Sequence, residues 1–387
     1  IAEDPLTGLE NGIKVRRKQL DALLDENLMS EKRRQESELR ARAARDRTLA
    51  ALGDPWADIE KANAIARNLD TEYGYLEGGA GFNSRLFRYA RSLVRGIAER
   101  DKPNAERLGE YTDQSLPRLR QQLAAPAPVY PELERLTLSF SLERMREWLG
   151  PDDATVRSLL AKDSPDSLSA ALINGSTLGD AKVRLALWDG GAAALSASND
   201  PMIKLAQQID ERSRALRKRY EDEVEAPTAV AEEKIARARF KLYGTAVYPD
   251  ATFTLRLNYG TVQGWQEKGS PVEPFTTLGR AYERATGQTP FRIPDSWMQA
   301  RSRLDMSTPF NLSSNNDIVG GNSGSAMLNA RGEVVGLMFD GNIHSISGSY
   351  WFDTAKNRSI AVHPAIMREA LEKVYKADDL LGELAGK

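Results

Sequence analysis

The sequence predicts an α+β protein in which a mostly helical region, residues 1–240, precedes a β region, residues 241–387, that ends in a helix. Three observations predict this. In the first region, apolar residues recur at spacings of three and four, the period of an amphipathic helix. Beyond Phe240, β-branched and aromatic residues alternate with polar ones, the period of a strand. The helical period returns between about Pro364 and Leu384.

The helical elements follow in chain order. Leucines at residues 20–28 share one helix face, and Gly53-Asp54-Pro55 ends the first helical segment. Asp200-Pro201 predicts a helix N-cap followed by proline at the first helical position. Further helices are predicted at 56–72, 82–101, 104–123, 131–149, 151–162 and 202–222.

Strands are predicted at 252–257, 261–262, 317–319, 325–329, 333–339 and 347–352. We interpret Asp250, just before the first strand, as a turn residue and not as a catalytic carboxylate. Tyr243, Trp265 and Trp297 are interpreted as packing aromatics and not as substrate subsites.

Composition excludes several classes of function. The chain has 387 residues and a net charge of −2, so it offers no global field for nucleic acid or anionic membranes. It has no cysteine, which excludes disulfides, thiolate catalysis and cysteine metal sites. No apolar run approaches the roughly 20 residues that span a bilayer. We expect no metal or other cofactor and no nucleic-acid or membrane partner.

Because the chain starts at Ile1, we expect an internal cut or a processed end.

The residues most typical of a reactive site are 317–326, DIVGGNSGSA. A serine hydroxyl needs a base to remove its proton and donors to stabilise the oxyanion. Gly321 and Gly324 permit a tight turn around Ser323, whose own N–H and that of Gly321 are the candidate oxyanion donors, as in chymotrypsin-like peptidases. The alternative is a glycine-rich β-turn with an incidental serine. An α/β-hydrolase elbow is excluded because Ser325 stands where that motif requires glycine.

Several separated segments of the β region carry a recognisable pattern, namely ARFKLYGTAVYPDATFTLRLNYGTVQGW (238–265), NDIVGGNSGSAMLNARGEVVGLMFDGN (316–342), RSIAV (358–362) and DDLLGEL (378–384). Together they resemble the S46 family of bacterial dipeptidyl peptidases. Weaker support comes from SNDPMIKLAQQID in the helical region, and Ala326 departs from the pattern, since the family usually has proline there.

This resemblance implies that residues 241–387 are the second β-barrel of a chymotrypsin-like double-barrel serine peptidase, and that residues 1–240 are a helical cap or regulatory domain. It implies an enzyme that releases dipeptides from the free N-termini of peptides through an acyl-enzyme on Ser323. It also implies a periplasmic homodimer, of which this chain is the C-terminal portion.

The triad order His, Asp, Ser implied by the resemblance places the base and its aspartate upstream of this sequence. Only His344 and His363 are present, and both follow Ser323. We therefore do not favour His344 as the base, and we expect His363, before Pro364, to have a capping or surface role. The 387 residues alone are expected to be inactive.

Asp340 matches the family residue that binds the substrate ammonium group, and Gly341 matches the floor of the pocket for P1, the residue before the cut bond. Glycine there implies hydrophobic or aromatic P1 residues, and Gly341→Arg is expected to favour Asp and Glu. The alternative for both is an Asp-Gly turn. For the whole chain, the alternatives are a peptide-binding homologue that lost its base, or a helical interaction scaffold over residues 9–240.

Overall fold

A computed structural model describes residues 3–160, 162–244, 255–348 and 350–386, with side chains from residue 8 onward. The described residues before 47 and after 238 form one compact unit, and residues 47–238 form another. The assignment of functions to regions 1–240 and 241–387 stays a prediction.

Helices dominate the chain up to residue 243. Over residues 131–149 the observed helix has the predicted limits. The helix predicted over 104–123 begins only at Leu116, with Pro117 in its first turn, where the missing proline N–H costs no hydrogen bond. The helices are α1 (Glu3–Leu23), α2 (Glu26–Arg45), α3 (Arg47–Ala50), α4 (Pro55–Leu76), α5 (Arg85–Arg100), α6 (Leu116–Ala124), α7 (Pro131–Leu149), α8 (Ala154–Leu160), α9 (Pro165–Gly175), α10 (Ala181–Ala197), α11 (Pro201–Tyr220) and α12 (Ala226–Tyr243).

Two predicted helix starts are confirmed by their caps. The Asp54 carboxylate accepts hydrogen bonds from the N–H groups of Trp56 and Ala57, so α4 begins at Pro55. The Asp200 carboxylate accepts one from Met202 N–H at 2.9 Å, and α11 begins at Pro201. Each cap satisfies donors that the first helical turn leaves unpaired.

The unit of residues 47–238 has a large apolar core where α4, α5, α7 and α11 pack together. Leu93, Leu138, Leu142 and Met202 are completely buried in it. A network of buried arginine and carboxylate side chains joins α4, α5 and α11 beside this core.

The C-terminal part has antiparallel sheets. β1 (Trp265–Glu267) pairs with β2 (Ser270–Val272). A five-stranded sheet has the order β3 (Phe275–Thr277), β4 (Pro309–Ser314), β7 (Ser359–Val362), β6 (Val334–Gly341), β5 (Ala326–Leu328). Short helices flank the sheet, namely α13 (Leu278–Glu283), α14 (Asp295–Ala300), α15 (Pro364–Glu369) and α16 (Asp378–Leu384). The predicted C-terminal helix is therefore broken, with a π-helical segment over Ala370–Tyr375.

The closed barrel expected from the resemblance is not confirmed. Within the described ranges the sheet is open, since its edge strands β3 and β5 do not pair with each other. The predicted strand at 252–257 lies outside the described residues up to 254, and Leu255–Leu257 are not in a strand. Asp250 also lies outside the described residues. A barrel cannot close without a continuous ladder of paired strands.

Two other strand predictions are wrong. Residues 317–319 form a loop, because Val319 N–H donates to the Asn322 side chain instead of to a neighbouring strand. Residues 343–347 form a 3₁₀ turn capped by the Asn342 side chain, so no strand covers the described part of 347–352. The hairpin of β5 and β6 is confirmed, with a register shift after Met327.

Trp297 and Tyr243 pack as predicted. Trp297 stacks edge-on against Tyr375, and Trp265 Nε1 donates to Glu267 at 3.1 Å. Tyr243 lies beneath the Arg42 guanidinium. Across the described residues, no helix is both long enough and apolar enough to cross a bilayer.

Candidate active site

Ser323 lies in the loop that leads from β4 to β5. Gly321 has φ +102° and Gly324 has φ +86°, values in the region that favours glycine. The loop therefore contains the tight turn that the sequence predicts. A side chain at either position would strain the backbone that carries the serine.

Hydrogen bonds fix this loop against β6. The Asn322 side chain accepts from Val319 N–H at 3.0 Å, and the Asn322 carbonyl accepts from Ser325 N–H at 3.0 Å. Gly324 N–H donates to the Met338 carbonyl at 2.7 Å. The loop is thus attached to the strand that ends at Asp340 and Gly341.

The Ser323 side chain is exposed, and its hydroxyl donates to the Phe339 carbonyl at 3.3 Å. Within the described part of the chain, the N–H groups of Gly321 and Ser323 have no hydrogen-bond acceptor. An accessible hydroxyl beside two available amide donors is what attack on a carbonyl carbon requires. Among the described residues, both N–H groups are therefore free to serve as oxyanion donors, and that role stays a prediction.

A cavity of about 200 Å³ adjoins Ser323, and Asp340 and Gly341 also line it. The structure therefore brings together the residues that the sequence analysis selected. The Asp340 carboxylate is exposed and accepts from Gly341 N–H at 2.8 Å. Ile318, Val319, Gly320 and Asn322, from the segment 317–326 that the sequence analysis selected, also line the cavity. Sequence reasoning missed the remaining lining residues, which are Phe339, Asn342, Ser345 and Ile346.

His344 makes its hydrogen bond away from Ser323. Its Nε2 lies 2.7 Å from Oε2 of Glu267, the last residue of β1. This hydrogen bond, with a second from Trp265, lowers the pKa of the Glu267 carboxyl below its ordinary value. The pairing ties the 343–347 turn to the two-stranded sheet.

His363 is a helix cap, as predicted. Its Nδ1 accepts from Ala365 N–H at 3.1 Å at the start of α15. Burial lowers the pKa of this imidazole, since desolvation penalises its charged form. The chain has only these two histidines, and neither bonds to Ser323.

The depressed pKa of His363 predicts a pH-dependent stability. The pKa in the folded state is below the ordinary 6.5, so the unfolded chain binds this proton more tightly. The free energy of unfolding should therefore fall as the pH drops below about 6.5. His363→Asn keeps a capping acceptor but removes the titration, so urea unfolding at pH 7.5 and 5.5 should show a weaker pH dependence. If the free energy of unfolding changes equally with pH in the wild-type protein and in His363→Asn, then His363 is not the group that causes the pH dependence.

A glycine-flanked serine, exposed beside a pocket with a carboxylate at its rim, is the arrangement expected of the nucleophile side of a serine hydrolase site, and this role of Ser323 stays a prediction. In the described ranges, no three or more His, Asp or Glu side chains are grouped to hold a metal ion. The chain belongs to the peptidase S46 family, whose sequence model matches residues 2–386.

Two curated relatives illustrate the similarity. The Asp/Glu-specific dipeptidyl-peptidase of Shewanella putrefaciens is 28% identical over 78% of this chain and 46% of its own length. Dipeptidyl-peptidase 7 of Capnocytophaga gingivalis is 26% identical over 92% of this chain and 51% of its own length. The chain thus spans about half the length of these relatives.

Solved structures agree on the fold. A crystal structure of Porphyromonas endodontalis DPP11 in complex with the dipeptide Arg-Glu matches with a TM-score of 0.74 at 22% identity. The alignment covers 97% of this chain and 55% of the DPP11 chain. The mostly helical architecture with antiparallel sheets is therefore that of the S46 dipeptidyl peptidases.

Proposed function

We propose that the protein carrying this chain is a serine exopeptidase that releases dipeptides from the free N-termini of peptides. The observation that carries the proposal is the meeting of the Ser323 hydroxyl and the Asp340 carboxylate on one pocket. One group attacks a carbonyl carbon, and the other binds an ammonium group. A fixed separation between them allows the enzyme to count residues from the N-terminus.

In this mechanism Ser323 Oγ attacks the carbonyl carbon of the second residue, and its proton passes to a general base. The base then protonates the departing amine, which leaves an acyl-enzyme that water hydrolyses to the free dipeptide and Ser323. The N–H groups of Gly321 and Ser323 stabilise the negative oxygen of each tetrahedral intermediate.

The general base and its aspartate are proposed to lie outside these 387 residues. Support comes from His344 and His363, which are held by Glu267 and by the start of α15. The matched relatives are also about twice as long as the aligned part of this chain. The missing segment would also complete the chymotrypsin-like double barrel.

The pocket favours hydrophobic or aromatic P1 residues. Ile318, Phe339 and Ile346 provide apolar surface, and no basic side chain is among the described residues that line the cavity. Its one ionisable lining group is Asp340, which repels an acidic P1 side chain. The lining residues and not the relatives are the basis of this preference, since one matched relative is named Asp/Glu-specific.

We also propose a periplasmic homodimer in which the helical region caps the active site, as the family resemblance implies. The partners would be peptide substrates and a second copy of the same protein.

Asp340→Ala tests the proposed function in the full-length protein. Hydrogen bonds to charged groups are worth about 1.5–3 kcal/mol, so kcat/KM on peptides with a free N-terminus should fall about 10- to 150-fold. Asp340→Asn, which keeps an oxygen acceptor but not the charge, should lose less. N-acetylated peptides should be poor substrates for every variant.

Undiminished dipeptide release by Asp340→Ala would contradict this assignment. Peptide binding without release by the wild-type protein would instead favour the non-catalytic homologue. A wild-type protein that neither binds peptides nor releases dipeptides would favour the helical scaffold.

A further inference from the structure

Gly341 has no room for a side chain in this structure. A Cβ atom built on Gly341 would lie 2.7 Å from Ser345 Cβ and 3.1 Å from Ser345 Oγ. Nonbonded carbon atoms sit about 3.5–4.0 Å apart. Because Ser345 Cβ is bonded directly to the backbone, a change of rotamer does not relieve the contact. Ser345 itself must move before position 341 accepts even a methyl group.

The turn that carries Ser345 is held by the Asn342 side chain. Asn342 Oδ1 accepts from Ser345 N–H at 3.2 Å and from Ser345 Oγ at 3.0 Å. Its Nδ2 donates to the Lys356 carbonyl at 2.7 Å, and Asn342 is buried. Moving the turn therefore breaks partly buried hydrogen bonds and exposes the buried Asn342 side chain, which is costly.

Two further anchors act on the same turn. The Ser345 hydroxyl also lies 3.0 Å from the Arg358 carbonyl, so that its single proton is shared between this carbonyl and Asn342 Oδ1, and Arg358 is 1% exposed. His344 is held by Glu267 at 2.7 Å. The turn is thus fixed on the side of β7 and on the side of β1.

We infer that Ser345 is a specificity-determining residue of the P1 pocket, acting as one unit with Gly341. Its Cβ occupies the space that a side chain at 341 would need, so the pair and not Gly341 alone decides which P1 side chains enter. This inference rests on the proposed function. It replaces the sequence-based expectation that Gly341→Arg by itself would redirect the enzyme to acidic residues.

A double-mutant cycle in the full-length protein tests the pair. Gly341→Ala should lower kcat/KM for a Leu P1 substrate about tenfold or more, the scale of overpacking by one methyl group. Adding Ser345→Gly, which removes the obstructing Cβ, should restore most of that loss. Adding Ser345→Ala, which removes only the hydroxyl, should not. The matched single variants correct for the loss of the hydroxyl and for the added backbone freedom of glycine.

A second double-mutant cycle, with Gly341→Arg in place of Gly341→Ala, measures the P1 specificity directly. In Gly341→Arg with Ser345→Gly, the guanidinium can pair with an acidic P1 side chain, so the Asp-to-Leu ratio of kcat/KM should rise at least about tenfold. The same ratio should stay near the wild-type value in Gly341→Arg with Ser345→Ala. Circular dichroism of each variant confirms that the fold is intact.

Additive effects at the two positions, or full acidic preference from Gly341→Arg alone, would overturn the inference. Those outcomes leave the proposed function in place, because the wild-type protein still releases dipeptides. A wild-type protein that releases none would instead overturn the proposed function and the inference with it.

Discussion

In the full-length protein, Ser323→Ala is expected to lower kcat for dipeptide release by about 10⁶-fold, the loss seen when a serine peptidase loses its nucleophile. The reason is local. The Ser323 hydroxyl is exposed on the pocket, its loop is attached to β6 through Gly324, and two N–H donors lie beside it. Alanine keeps the turn and the donors but removes the atom that forms the acyl-enzyme.

Ser325→Ala is the matched control, because Ser325 is an exposed serine of the same loop, two residues after Ser323 and directly before β5. Only its backbone groups take part in the loop, so the variant should keep kcat within about threefold, as surface substitutions usually do. Steady-state kinetics on a dipeptidyl fluorogenic substrate measure both. Activity retained by Ser323→Ala, or an equal loss in both variants, would contradict the assignment.

Arg95→Ala is expected to lower the free energy of unfolding by about 3 kcal/mol, the low end of the cost of breaking a buried ion pair from one side, because each carboxylate that it pairs keeps a second arginine. Arg95 is 2% exposed, and its guanidinium donates to Glu77 at 2.7 and 2.8 Å and to Asp210 at 2.6 Å. Removing it takes one arginine from Glu77, the C-cap residue of α4, and one from the half-buried Asp210 on α11. Arg91 and Arg214 remain as their partners.

Arg120→Ala provides the contrast on the same unit. Its side chain is 50% exposed and pairs with Asp189, which is 57% exposed. Such surface pairs are worth about 0.2–1 kcal/mol because water screens them and both side chains lose freedom. Denaturant unfolding of the two variants should therefore differ by a few kcal/mol. Similar losses would contradict a structural role for the buried network.

Much of the helical region could be predicted, because its signals are local. Apolar spacing predicts residues 131–149, and the side chains of Asp54 and Asp200 mark the starts of the helices that follow them. The buried ion network could not be predicted. Arg95 and Asp210 are 115 residues apart in the chain, and nothing in either neighbourhood identifies the partner.

The strand predictions fail where a side chain satisfies the backbone. Strands are predicted at 317–319 and 347–352, yet Asn322 caps a turn in the first segment, and a turn capped by Asn342 covers 343–347, up to the start of the second. Strand propensity depends on having a partner strand, so it carries little weight beside such a capping residue.

At the candidate site, the family resemblance implies that Ser323, Asp340 and Gly341 act together, and the structure places them on one pocket. Ser345 was missed because its effect is steric and depends on where the turn places its Cβ. The available signal was Asn342 three residues earlier, a spacing typical of a capped turn.

The most direct test of the central claim is chemical labelling of the serine. The full-length protein is treated with a fluorophosphonate, digested, and its peptides are examined by mass spectrometry. The adduct is expected on the peptide that contains Ser323, and an excess of a dipeptidyl substrate should slow its formation. An active enzyme whose adduct forms on another serine, with Ser323 unmodified, would contradict the account.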